Sequence, residues 1–234
     1  MRLSAQLDSL QARWRASAGQ DIANTISQDN ARLLASAGQD IANTISQDNA
    51  RLLASGMIEH ALKAGAPFPD LALSDASGQR LRIYDLLAKG PAIITFYRGG
   101  WCPYCSLELR AYQHALAEIQ AAGGQLIAIS PETPEHSADT AQSNALSFTL
   151  LSDAGGQLAA ALGIRFEMAA PIIRLYQQFG HDLPQHNGDG KWSLPIPASY
   201  VLDRAGLIRL AFVDPDYRQR LEPAEAIKAL QGLA

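Results

Sequence analysis

The feature that most constrains this chain is a pair of cysteines placed where a strand turns into a helix. Cys102 and Cys105 are the only cysteines in 234 residues. Upstream, Ala92, Ile93 and Ile94 follow Gly90 and Pro91 as a short apolar run that reads as a buried strand. Downstream, Leu107, Leu109 and Tyr112 open a stretch with helical spacing that continues to Ile119. A C-x-x-C at such a turn, in a chain of β–α–β character, is the signature of a dithiol redox site.

The chemistry accounts for the placement. A cysteine attacks only as thiolate, and a helix N-terminus offers unpaired N–H groups and a positive dipole end that stabilise one. Cys102 takes that position, and Pro103 can follow it because the first helical turn does not use its N–H. Cys105 lies one turn deeper on the same face, placed to attack a mixed disulfide or sulfenic acid formed on Cys102. Arg98 adds a positive charge nearby in sequence, and Trp101 adjoins the pair.

Other uses of two cysteines fit less well. Zinc takes four ligands, and the five histidines (60, 114, 136, 181 and 186) are scattered, so no metal site is expected. A structural disulfide is disfavoured in a chain long enough to build its own core. Two inert buried thiols remain the plain alternative. At 47% hydrophobic and 18% charged the sequence is ordinary globular material, and a net charge of −4 gives no case for nucleic acid. No apolar run is long enough to span a membrane, and the first residues lack the apolar core of a signal peptide, which points to the cytoplasm.

The N-terminal third carries a second unusual feature. Leu3, Leu7, Leu10 and Trp14 form the stripe of an amphipathic helix. Residues 17–35 then recur letter for letter as residues 36–54. Two copies are too few for a solenoid. Nineteen residues advance a helix by about five turns plus 100°, so in one unbroken helix the two apolar faces would point apart. Gly19 and Gly38 are candidate breaks, with Asp21 and Asp40 near fresh helix starts. One copy is expected to dock on the main domain and run on through Met57 to Leu62. The other would protrude, form a helical hairpin or mediate homo-oligomer formation; a tolerated insertion is the plain reading. Residues 1–64 are therefore read as an N-terminal helical extension and residues 65–234 as the catalytic domain.

Within that domain, residues 71–83 read as a hairpin and residues 84–89 as a short helix, ahead of the cysteine-bearing unit. Residues 126–130 and 148–152 read as strands, and residues 134–146 and 157–162 as helices. The alternation argues a predominantly parallel, helix-covered sheet. Residues 171–179 look helical, and 180–194 form a polar, turn-rich loop, read as a lid or substrate-selecting element beside the site. A lone histidine in such a loop is usually solvated, so neither His181 nor His186 is assigned a catalytic role. Residues 198–203 and 207–213 pair as a hairpin, and 223–233 close the chain as a helix with Pro223 near its start.

In this order the pieces resemble the thioredoxin fold, and more closely its peroxiredoxin-like branch, the alkyl hydroperoxide reductase/thiol-specific antioxidant (AhpC/TSA) family. The resemblance covers residues 65–234. It rests on Gly-Ala-Pro-Phe-Pro-Asp-Leu (65–71), Phe-Tyr-Arg-Gly-Gly-Trp-Cys-Pro-Tyr-Cys (96–105), Ile-Ala-Ile-Ser-Pro (127–131), Leu-Leu-Ser-Asp (150–153) and Val-Leu-Asp-Arg-Ala-Gly (201–206). It implies an α/β fold with a central mixed sheet flanked by helices. It also places Cys102 as the peroxidatic or attacking cysteine. Three family positions differ. Typical members carry a threonine three residues before that cysteine and a proline seven before it, where this chain has Gly99 and Thr95. They also carry an arginine ahead of the late strand, where this chain has Pro197. Pro197 matches instead the position of thioredoxin's cis-proline, so a cis peptide is expected there.

The sequence therefore describes a cytoplasmic thiol-dependent redox enzyme with no cofactor and no metal. Cys102 would attack a small peroxide or disulfide and Cys105 would resolve the product. An external thiol reductant of thioredoxin or glutathione type would regenerate the pair. Arg98, Gly99, Trp101, Pro103 and Pro197 would shape the site. The missing threonine and arginine tilt the chemistry toward disulfide exchange. The alternative is a redox sensor or binding module whose oxidation changes partner binding.

Overall fold

A computed structural model describes the backbone at residues 2–23 and 28–233, and side chains at residues 2–13 and 38–233. The chain opens with two long helices, α1 (Leu3–Ala23) and α2 (Gln28–Ala54), followed by the single turn α3 (Met57–His60). The hairpin β1 (Ala72–Asp75) and β2 (Arg80–Arg82) leads through α4 (Ile83–Leu87) to β3 (Ala92–Phe96). Then come α5 (Pro103–Ala121), β4 (Gln125–Ser130), α6 (Pro134–Ser143), β5 (Thr149–Ser152) and α7 (Gln157–Ala161). The strand β6 (Arg165–Glu167), helices α8 (Ala170–Gln178) and α9 (Leu183–Asn187), and strand β7 (Ser193–Pro195) follow. The chain ends with β8 (Ala198–Leu202), β9 (Ile208–Val213) and α10 (Pro223–Gln231).

Seven strands form one sheet in the order β2-β1-β5-β4-β3-β8-β9, and β6 pairs with β7 in a separate ribbon. Only β3–β4 and β4–β5 are parallel; the β1–β2, β1–β5, β3–β8 and β8–β9 pairs are antiparallel. The sheet is therefore mixed, not predominantly parallel. β–α–β crossovers build the parallel centre, hairpins make β1–β2 and β8–β9 antiparallel, and each hairpin joins the centre antiparallel through β1 or β8.

The central strand β3 is buried along its whole length because helices cover both faces. Ile94 and Phe96 point toward Phe68, Ile83, Leu87 and Leu158, whereas Ile93 packs with Tyr112, Ile119, Ile227 and Leu230 of α5 and α10. The period-2 alternation of one strand thus feeds two cores.

The extension departs from the expected breaks. Gly19 lies inside α1 and Gly38 inside α2, so neither ends a helix. Glycine in a helix interior costs only about 1 kcal/mol, which a docked amphipathic face outweighs. Residues 24–27, between α1 and α2, lie outside the described residues. The second copy of the repeat belongs wholly to α2, and the first is divided between α1 and α2. The side chains of the first copy lie outside those described. Nor does α2 run through to Leu62: Gly56 adopts φ +75° and interrupts it before α3. Both ends of the helix pair are tied down. The backbone N–H groups of Leu3 and Ser4 donate to the Glu222 carboxylate at 3.0 and 2.7 Å, a charge-assisted N-terminal cap. At the far end, Arg51 Nη2 donates to the Glu167 carbonyl of β6 at 3.3 Å, and Leu52 is buried.

Residues 180–194 are not an irregular loop. They hold α9, capped by the Asp182 side chain, and β7, which zips onto β6. Short apolar spacing between polar residues hid both elements.

Candidate active site

The turn between β3 and α5 brings the two cysteines together. Cys102 is the N-cap residue of α5, extended at φ −89° and ψ 114°, and Pro103 occupies the first helical position. Its N–H donates to the Gly99 carbonyl at 3.1 Å, closing a tight turn, and its carbonyl accepts from Ser106 N–H at 3.0 Å. Both cysteines are completely buried as free thiols.

Two arginines face the pair. Arg98 Nη2 donates to Cys102 Sγ at 3.1 Å, while its backbone N–H donates to Cys105 Sγ at 3.4 Å. Its Nη1 donates to the Tyr176 hydroxyl at 2.7 Å, and the guanidinium lies 3.9 Å from the Tyr217 ring centroid. From beneath, Arg220 Nη2 approaches Cys105 Sγ at 3.5 Å. Arg220 is held by the Glu108 carboxylate (Nε to Oε2, 2.7 Å) and by the Tyr217 carbonyl. Glu108 in turn accepts from the Thr95 hydroxyl at 3.0 Å.

These contacts separate the two thiols electrostatically. Burial alone would raise Cys102, but the hydrogen bond from Cys105, the charges of Arg98 and Arg220 and the Arg98 hydrogen bond hold it well below the usual thiol range. Burial, reinforced by the hydrogen bond to Cys102 and its charge, pushes Cys105 well above that range. Cys102 is thus the more acidic thiol of the pair and Cys105 the one that holds its proton more tightly.

The glycines ahead of Cys102 are there for space. Gly99 sits at φ +152°, and a Cβ would fall 2.2 Å from Trp101 Nε1. A Cβ on Gly100 would fall 2.1 Å from Thr140 Oγ1. The Gly100 N–H donates to Glu132 Oε1 at 2.9 Å, and the same oxygen meets His186 Nε2 at 2.6 Å. His186 stacks on His136 with ring centroids 3.9 Å apart. The buried Glu132 thus pins the turn from behind, and α9 belongs to that support.

Of the residues expected at the site, Arg98, Trp101, Pro103 and Pro197 line one cavity with Tyr104, Tyr176 and Tyr217, and Cys102 lies just beneath. The expected cis peptide is absent: no described peptide bond is cis. Ile196 continues β7, its N–H donating to the Ile164 carbonyl at 2.7 Å, so Pro197 follows an extended, trans-linked residue. Pro197 stands where typical family members carry an arginine, but Arg98, expected to shape the site, reaches the sulfur from the cysteine loop itself. Sequence reasoning missed Glu108, Glu132, Tyr176, His186 and Arg220. Among the described residues no group of three or more His, Cys, Asp or Glu side chains could hold a metal, and no helix is long and apolar enough to cross a membrane.

A thiol pair at the start of a helix that follows the central strand of a mixed, helix-flanked sheet defines a thiol-based oxidoreductase of thioredoxin-like fold. The profile of the AhpC/TSA family matches residues 64–211. The chain belongs to that family and is a peroxiredoxin-like oxidoreductase. It is 26% identical over 171 residues to the chloroplastic peroxiredoxin Q of Populus jackii, covering 73% of this chain and 68% of the relative. It is 29% identical over 103 residues to peroxiredoxin Bcp of Escherichia coli K12, covering 44% and 65% respectively. Among solved structures, peroxidoxin BcpB from Mycobacterium tuberculosis superimposes with a TM-score of 0.59 at 21% identity, covering 74% of this chain and 99% of that one.

Proposed function

We propose that this protein is a thiol peroxidase in which Cys102 is the attacking thiolate and Cys105 the resolving thiol. The observation that carries the reading is the Arg98 guanidinium 3.1 Å from Cys102 Sγ at the N-terminus of α5. That arrangement favours the thiolate and sets a cationic donor where an oxygen leaving group would gain charge. The relatives named above are peroxiredoxins, which agrees with it.

In the first step the Cys102 thiolate attacks the terminal oxygen of a hydroperoxide, ROOH. The S–O bond forms as the O–O bond breaks, giving Cys102 sulfenic acid and RO⁻, which takes a proton from solvent to leave as ROH. In the second step the Cys105 thiol attacks the sulfenic sulfur, forming the Cys102–Cys105 disulfide and releasing water. Two equivalents of an external thiol of thioredoxin or glutathione type then reduce the disulfide by exchange. Such a cycle suits a reducing compartment such as the cytoplasm. Complete burial of Cys102 supports a small peroxide over a disulfide carried on a protein.

The test is to mix the reduced protein with hydrogen peroxide or with a model disulfide and follow Trp101 fluorescence by stopped flow. Peroxide should oxidise the pair far faster than a free thiol, and Cys102→Ser should abolish the reaction. Cys105→Ser should leave a sulfenic acid on Cys102, visible by mass after trapping. Rapid disulfide exchange with slow peroxide oxidation would reverse the assignment. A single oxidation with no turnover in excess peroxide and thiol would make the protein a sensor.

A further inference from the structure

The cavity above the cysteines is much larger than hydrogen peroxide needs. It measures about 810 Å³, whereas a molecule the size of water occupies about 30 Å³. Arg98, Trp101, Tyr176 and Tyr217 form its floor over the buried Cys102. Phe166, Met168, Ile172 and Leu194 form one side. The opposite wall is α2, where polar side chains flank Gly38, Ala42, Ile45, Asn49 and Leu52. Those positions follow one another at alternating steps of four and three, a single helical stripe. All five belong to the second copy of the 19-residue repeat. They also precede residue 64, where the match to the family begins.

The lining identifies what fits. Its charged groups are engaged: Asp48 with Arg51, Arg98 with Cys102 and Tyr176, Arg218 with Asp216. The walls away from α2 are mainly aliphatic and aromatic, and α2 adds uncharged amide and hydroxyl groups beside Ala42, Ile45 and Leu52. A site of this size and polarity takes an uncharged apolar body with few polar groups.

We infer that the second repeat copy is the roof of the substrate site and selects small hydroperoxides with a bulky, uncharged apolar body. The inference rests on Cys102 being the attacking thiol. The latch from Arg51 to the Glu167 carbonyl holds the roof against β6. Ile45 packs on the cluster around Met168, Ile172 and Leu183. The body of the substrate lies between α2 and α8 while its O–O bond reaches the sulfur past Arg98, and the bond changes are those of the first step above.

The test uses the full chain and two roof variants, Ala42→Phe, which fills the cavity, and Ile45→Asp, which puts a charge in its apolar wall. Rates of Cys102 oxidation by cumene hydroperoxide and by hydrogen peroxide are measured by quenched flow and mass, and their ratio is the readout. The ratio should fall at least about tenfold in each variant, the scale of one lost apolar contact or one blocked group. A ratio unchanged within twofold, in variants with native circular dichroism, overturns the roof. Ile45→Asp decides the matter if Ala42→Phe fails to fold. A second readout separates this inference from the peroxidase reading. In a Cys105→Ser background, Ala42→Phe should slow N-pyrenylmaleimide relative to iodoacetamide at Cys102. If that selectivity shifts but no peroxide reacts in the parent protein, the roof stands and the peroxidase reading falls. If peroxides react and neither ratio moves, the reverse holds.

Discussion

Arg98 Nη2 lies 3.1 Å from Cys102 Sγ, four residues along the chain, in a buried contact roofed by Tyr176 and Tyr217. The guanidinium reaches the sulfur from the cysteine loop itself, although Pro197 stands where typical family members carry an arginine. It is also the strongest basis for predicting how the protein responds to pH.

Because the Cys102 thiol is held well below its ordinary range, its thiolate persists to lower pH than that of a free thiol. Its reactivity should be lost only when pH drops through that depressed value, whereas a free thiol (about 8.5) loses about tenfold per unit below its own. In Arg98→Met the loss should begin at higher pH, and the iodoacetamide rate at pH 6.5 should fall at least about tenfold, as the thiolate fraction does when a thiol becomes tenfold less acidic. Arg98→Lys should lie between, since a point charge cannot reach both Cys102 and Tyr176. An Arg98→Met pH profile that superimposes on the parent's would show that Arg98 does not set the thiolate.

Gly99 occupies the position where typical family members carry threonine, but restoring the threonine should not restore a more typical site. At φ +152° with Trp101 Nε1 2.2 Å from a would-be Cβ, Gly99→Thr must displace the indole or the backbone. We expect a loss of about 2–4 kcal/mol, from strain plus overpacking, and a peroxide rate no higher than the parent's. Urea unfolding and the hydrogen peroxide rate measure the two. A stable, faster Gly99→Thr protein would contradict this account of the turn.

How much of this could be read from the residues alone depends on range. The strand before Cys102, the helix after it and the role of Pro103 are local, and Ala92–Phe96 and Pro103–Ala121 lie where periodicity placed them. Contacts between distant segments carry no such trace. Arg220 meets Cys105 across 115 positions and His186 meets Glu132 across 54, and neither pair has a spacing to recognise. Short elements fared worst, because five residues of α9 show too little periodicity to distinguish them from a polar loop. The repeat was legible as a sequence fact, but its place over the site came only from packing. The seat of α2 depends on α8 and β6, which lie more than a hundred residues away.

Glu132 should act as a positioning residue for the turn. Its Oε1 receives both Gly100 N–H and His186 Nε2, and its Oε2 receives the Ser130 and Thr140 hydroxyls, each at 3.3 Å. Glu132→Gln cannot accept all four, so a buried donor is left without a partner. The expected cost is about 1–3 kcal/mol. Amide exchange at Gly100 should quicken more than exchange in the centre of β3, which a merely global loss of stability would not produce. Uniform acceleration across the sheet would remove the positioning role.

Beneath the cysteines, the Arg220–Glu108 pair buries both side chains almost completely at 2.7 Å. Burial pushes the Glu108 carboxyl up, opposed by Arg220 and the Thr95 hydroxyl, so the carboxylate depends on its partner. Arg220→Met leaves that charge unpaired and should cost about 3–5 kcal/mol, whereas the double variant Arg220→Met/Glu108→Met should regain a large part of it. A double-mutant cycle by urea unfolding measures the coupling. The double variant also separates folding from chemistry. With stability recovered, Arg220 is still missing from Cys105 Sγ, and burial is left to raise that thiol further. Closure of the disulfide from Cys102 sulfenic acid should then slow while the initial oxidation by peroxide changes less. Equal slowing of both steps would assign Arg220 to Cys102, and no slowing of either would leave the pair a purely structural support.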